Sequence, residues 1–247
     1  MQQVEPPATA VAPGGARLGM WSAGAAVVLG VVTAVVGVTT PPRSGPMCQM
    51  DRCVTSPYTD VAAFVPRDYL WLYPAVALQV VFVLVVAVLA GRAVTERPAQ
   101  AVAAMAFAVL GAGLLIADYG LQLFVVQPSL LAGESEGLSL LSQYNPHGVF
   151  IGLENLGYAA LAVAFLFLGA VLAGTGGLLR VVRWVFLGGG VLTWVALAGL
   201  TVGYGADLEY RFELAAISVY WLVVILAGGL LAVSFHRAGH SAGEEGE

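Results

Sequence analysis

Apolar residues fall along this chain in six long runs, at 18–40, 70–91, 99–126, 147–173, 178–203 and 213–235. A helix needs about 20 apolar residues to cross the hydrocarbon core of a bilayer, and each run meets that length. A transmembrane barrel would show alternating polarity over roughly ten-residue segments, whereas these runs are continuously apolar. The pattern therefore predicts an all-α fold, a polytopic bundle of six transmembrane helices. The flanks at 1–17, rich in Pro, Ala and Gly, and at 236–247 lack periodicity and are predicted to be disordered, with His236 and His240 solvated. The first run is too long for a signal peptide and ends in Val-Thr-Thr-Pro-Pro without a small-residue cleavage site, so it reads as a retained helix.

Composition agrees with that class. The chain is 59% hydrophobic and only 10% charged, with a mean hydropathy of +0.87, which no soluble domain approaches. There is no lysine, so orientation rests on arginine. With the N-terminus in the cytoplasm, Arg17, Arg92, Arg97, Arg180, Arg183 and Arg237 lie inside and Arg43, Arg52, Arg67 and Arg211 outside. The bias is modest, but the predicted loop 127–146 has no arginine and carries Glu134 and Glu136; both termini are expected in the cytoplasm of a cell-membrane protein. The formal charge of −5 gives no reason to expect nucleic-acid binding. Cys48 and Cys53 then fall in an outer loop, where an oxidising compartment permits a disulfide. Their four-residue separation is not the Cys-x-x-Cys of thiol oxidoreductases. Trp21, Trp184 and Trp71 fall near run ends, as an aromatic belt requires, and Gly188-Gly-Gly190 and Gly199-x-x-x-Gly203 are helix-packing signals.

Polar side chains inside the runs concentrate toward the outer side. Asp118 lies about two thirds of the way along the third run, with Gln122 one turn further on the same face. The fourth run opens with Gln143-Tyr-Asn-Pro-His-Gly148, in which Asn145 and Pro146 suit a helix start. Spacings of seven and four residues put His147, Glu154 and Tyr158 on one stripe, with Asn155 beside it. Glu154 lies about 10 Å below the helix start, a depth similar to that of Asp118. An ionisable group inside a bilayer costs at least about 2.5 kcal/mol and usually faces a bundle interior or cavity. Two such carboxyls together retain a proton near neutral pH, and His147, nearer water, is placed to exchange it. The competing reading is structural, with Asp118 bonding a neighbouring helix and His147 at headgroup level. No His-x-x-x-His or Glu-x-x-His spacing suggests a metal, and one membrane-proximal histidine does not make a bis-histidine haem site, so no metal or cofactor is expected. Gln79 and Tyr220 are further candidates for the pocket; Asp207, Glu209, Arg211 and Glu213 read as a solvated rim.

The stretch Tyr-Asn-Pro-His-Gly-x-Phe-Ile-x-Leu-Glu-x-x-Gly-Tyr at 144–158, with Ala-Asp-Tyr-Gly-Leu-Gln-Leu at 117–123 and Glu-Tyr-Arg-Phe-Glu at 209–213, resembles a group of uncharacterised prokaryotic integral membrane proteins. The resemblance implies an architecture and no activity. Buried carboxyls in a small helical bundle also offer an analogy with intramembrane terpene cyclases, at the level of fold alone.

Two classes of function follow. In the first, a pocket on the outer-leaflet side binds a lipid-like or amphipathic small molecule, with Asp118, Glu154 and His147 as candidate acids and Gln122, Tyr144, Asn145, Asn155 and Tyr158 as binding groups. In the second, the carboxyls serve a proton-linked carrier or a non-catalytic membrane component. The inner half of every run is almost free of polar residues, which disfavours a channel. Membrane lipids are the expected surroundings, a small amphiphile the expected partner.

Overall fold

The fold, taken from a computed structural model, describes residues 13–59 and 61–244. Six long helices span them: α1 (Pro13–Thr39), α2 (Leu72–Ala93), α3 (Pro98–Leu121), α4 (Val149–Val171), α5 (Gly177–Tyr204) and α6 (Tyr210–Glu244). Each includes a segment long and apolar enough to cross a membrane, and no strand occurs among the described residues. The chain is a multi-pass membrane protein. Its helices pack in sequence order as a ring, α6 closes onto α1, and α4 also reaches across to α2 and α6. This makes α4 the most enclosed helix and leaves α5 largely facing outward, with Val191, Val195 and Val202 exposed.

Between helices in lipid, close backbone approach replaces much of the hydrophobic drive available in water. The α3–α4 contact shows this directly. A Cβ on Gly111 would lie 2.8 Å from the Gly157 carbonyl oxygen and 2.7 Å from Leu161 Cγ, so glycine is what lets the two helices touch there. Of the predicted packing glycines, Gly189 and Gly190 are pressed against α6 and α4, while Gly188, Gly199 and Gly203 face open space.

Two helices outlast their apolar runs. The third continues from α3 through a π-helical turn at Gln122–Val126 and a further α-helical stretch at Gln127–Ala132, ending at Gly133 with φ 77°. The predicted loop from 127 is thus helical at its start. Pro128 explains the π turn: a proline ring clashes with the carbonyl four residues earlier, and the wider turn, with the Gln127 N–H donating to the Gln122 carbonyl, accommodates it. At the other extreme, α6 runs on to Glu244, and α1 already begins at Pro13. Both correct the predicted disordered flanks, because apolar length measures the bilayer and not the helix. Residues 1–12 and 245–247 of those flanks lie outside the described residues.

The connections α1–α2 and α3–α4 cap the same end of the ring. The first contains three short 3-10 turns, at Gly45–Met47, Ala62–Phe64 and Arg67–Tyr69, and the Cys48–Cys53 disulfide. The second contains the single turn Leu138–Leu141.

Candidate functional site

Two polar layers occupy the capped end. The upper one is built on Arg43 and Asp68, both from the α1–α2 connection or its junction with α2 and both buried. Arg43 donates through Nε and Nη2 to the two carboxylate oxygens of Asp68, a bidentate pair, and its guanidinium lies 3.7 Å from the centroid of Phe64. The Tyr144 hydroxyl donates to Asp68 Oδ2 at 2.8 Å. Ser44 Oγ donates to the Tyr144 carbonyl at 2.7 Å and lies 2.8 Å from the Tyr210 hydroxyl. Hydrogen bonding to Asp68 holds the Arg43 pKa above its ordinary value. Burial first, and then the neighbouring Asp68 carboxylate, pushes the Tyr144 phenol upward.

Beneath it lies the carboxyl layer. Asp118 on α3 and Glu154 on α4 are both fully buried. The Tyr119 hydroxyl donates to Glu154 Oε1 at 2.7 Å and stands 2.8 Å from the Tyr158 hydroxyl. Glu213, one turn into α6, lies near Glu154 and within electrostatic range of Asp118. Both oxygens of Asp118 and the Oε2 atoms of Glu154 and Glu213 are buried without a hydrogen-bond partner. Among the described residues, no arginine forms an ion pair with them. Buried carboxyls without a counterion are costly inside a membrane and usually face a bundle interior or a cavity. Among the described residues, no three acidic, histidine or cysteine side chains are placed to share one metal ion.

The floor is aromatic. Tyr220 donates to Gln79 Oε1 at 3.1 Å, and Phe82, Phe165 and Tyr220 meet with centroids 5.7 to 6.0 Å apart, with Phe186 stacked on Phe165 at 5.6 Å. Beside both polar layers is a cavity of about 470 Å³. Its wall includes Arg43, Asp68, Tyr144, Tyr210 and Glu213, together with Trp71 and Trp221. On its outer side it is bordered by Val38 of α1 and Leu214 and Ser218 of α6, all exposed on the flank of the ring. The exposed part of its wall thus includes the flank between α1 and α6, together with Pro42 of the first connection. Trp221 bounds it there, seated against Gly37, where a Cβ would approach Trp221 Cη2 to 2.7 Å.

Several predicted site residues meet here and others do not. Asp118, Glu154 and Tyr158 share the carboxyl layer, Tyr144 lines the cavity, and Gln79 and Tyr220 meet below. His147 does not join them: α4 starts at Val149 behind an extended Gly148, so His147 precedes the helix and its stripe. Its ring is 63% exposed, 4.0 Å from Glu209. The carboxamide of Asn145 is the cause, accepting the His147 N–H at 3.0 Å and donating to the Ser139 carbonyl at 2.9 Å. Gln122 likewise ties the α3–α4 connection, donating to the Leu141 carbonyl and accepting from the Gln143 N–H. Asn155 is half-buried on α4, its Oδ1 without a partner. Trp71 is no belt residue; it is buried edge-on to Tyr119 at 5.3 Å. Trp21 and Trp184 are exposed.

Sequence reasoning missed Glu213, Arg43 and Asp68 as site residues. Glu213 and Tyr220 are seven residues apart on one face of α6, and that spacing was the available signal. Arg43 and Asp68 are 25 residues apart in a connection without periodicity, and nothing local links them. Compared with protein-family models, with curated proteins and with solved structures, the chain matches none.

Proposed function

We propose that the protein takes an amphipathic, lipid-like molecule sideways from the outer leaflet of the cell membrane into the cavity between α1 and α6. The carboxyl layer meets its polar end, as a binding group or as a general acid. The capped end faces outward and both termini face the cytoplasm, in keeping with the arginine distribution and with a disulfide in the first connection. The observation that carries this reading is the border of the cavity: a space with polar groups in a largely apolar wall reaches the flank of the ring at Val38, Leu214 and Ser218. The mixed apolar and polar wall suits an amphiphile better than a wholly polar solute. A proton-linked carrier is the other reading, and it requires a polar route onward. Below Gln79 and Tyr220 the core instead contains Phe82, Phe165, Phe186, Leu89 and Leu168, all buried.

The test is to purify the protein in native-membrane particles and identify its bound molecules by mass spectrometry, beside Ser218→Trp and Leu214→Trp variants that fill the mouth of the cavity. The parent is expected to carry a discrete amphiphile that both folded variants lose. Equal complements of bulk lipid in all three would overturn the reading.

A further inference from the structure

The cavity wall also constrains the chemistry of the occupant, on the reading just given. Many of its polar groups are committed within the protein. Arg43 is neutralised by the bidentate pair with Asp68, and Asp68 accepts a third bond from Tyr144. Arg43 Nη1 faces only the Met50 thioether, at 3.7 Å. Tyr210 shares hydrogen bonds with Ser44 and the Gln143 carbonyl. Ser218 donates to the Leu214 carbonyl; Gln143 Nε2, by contrast, is buried without a hydrogen-bond partner. Of the two acids in the wall, Asp68 is held by Arg43 and Tyr144 and Glu213 is left open. Glu213 lines the cavity, has a buried unpartnered Oε2 and takes part in no ion pair among the described residues. Behind it stand the fully buried Asp118, with both oxygens unpartnered, and Glu154.

An anionic headgroup would meet an arginine already neutralised and, in Glu213, an acid where it needs a cation. A cationic group supplies that acid with hydrogen-bond donors and positive charge, in a cavity also lined by the aromatic rings of Trp71, Tyr210 and Trp221. We infer that the occupant carries a protonated amine at its polar end, and that this ammonium sits on Glu213 with Asp118 and Glu154 as the acidic backing. Glu213 is then the acid that touches the ligand, and Asp118 and Glu154 act through it. On binding, R–NH3+ takes the place of a proton held by the acids, which leaves to solvent; no bond to the ligand forms or breaks.

The experiment uses the full chain in detergent and native mass spectrometry, with three probes of one chain length: dodecylamine, N-dodecylacetamide and dodecanoate. Dodecylamine is expected to be retained at least about tenfold better than either other probe, and Glu213→Gln to abolish that preference while leaving the thermal unfolding of the protein near that of the parent. Glu154→Gln, which keeps Glu213, is expected to retain an amine preference. Equal retention of the three probes by the parent overturns the inference, as does an amine preference that survives Glu213→Gln. The pocket reading fails separately: if Ser218→Trp holds all three probes as well as the parent does, they do not occupy this cavity. Phosphatidylethanolamine and free ethanolamine, each tested for displacement of dodecylamine, distinguish a lipid headgroup from a soluble amine as the source. Displacement by either upholds the amine chemistry.

Discussion

At the scale of single residues, the capped end divides into charges that are paired and charges that are not. Arg43 and Asp68 illustrate the first kind. Breaking a buried pair by removing one partner leaves an uncompensated charge and costs about 3–5 kcal/mol, so Arg43→Ala is expected to lower the unfolding temperature sharply. Arg43→Met with Asp68→Leu should cost much less, as a thermal scan in detergent would show. Tyr144 adds a dependence on pH. Its raised phenol keeps a proton in the fold, whereas an unfolded tyrosine loses it near pH 10. The stability this confers is complete below that pH and declines as pH rises above it. Tyr144→Phe should therefore show a shallower alkaline loss of stability than the parent, measured by thermal unfolding across that range. In the carboxyl layer, Tyr119→Phe removes the donor to Glu154 Oε1 and should cost about 1–3 kcal/mol. Asp118 and Glu154 were legible from sequence because a carboxyl inside an apolar run has few ordinary explanations. Glu213 was not, since it begins a run beside Asp207, Glu209 and Arg211, and a run's edge looks the same whether it faces water or a cavity.

At the scale of elements, the site depends on how closely helices approach. Gly111 and Gly157 bring α3 against α4 and so set Asp118 beside Glu154. Gly111→Val would force the helices apart and is expected to cost about 1–3 kcal/mol or more. Its diagnostic effect should be loss of amine retention at temperatures where the variant remains folded, read by the same mass-spectrometric comparison. Apolar run length located all six helices because crossing a bilayer imposes a minimum. It could not locate their ends: α6 continues past Phe235, and the π turn before Pro128 carries the third helix onward where the polarity of the sequence suggested a loop. The start of α4 failed for a different reason. Asn145 and Pro146 are good helix-start residues, but Asn145 spends its carboxamide on the preceding turn, and the helix waits until Val149.

At the scale of the molecule, the ring brings distant segments into one site. Glu213, Glu154 and Asp118 lie on three helices, and the first connection adds Arg43 and Asp68. The orientation has a direct check: alkylation of Cys48 and Cys53 in protein from intact cells should require prior reduction if the capped end faces an oxidising compartment. The ring's closing contact has one further consequence. Below Trp221 the α1–α6 contact is tight, with a Cβ on Gly228 reaching to 3.1 Å from the Ala23 carbonyl oxygen and 2.9 Å from Val27 Cγ2. On the proposed function, a molecule admitted above that point has a dead end beneath it and leaves by the way it came. Exchange with the bilayer would then be confined to a single monolayer, and occupancy would follow the abundance of the ligand in that monolayer alone, whatever the composition of the other.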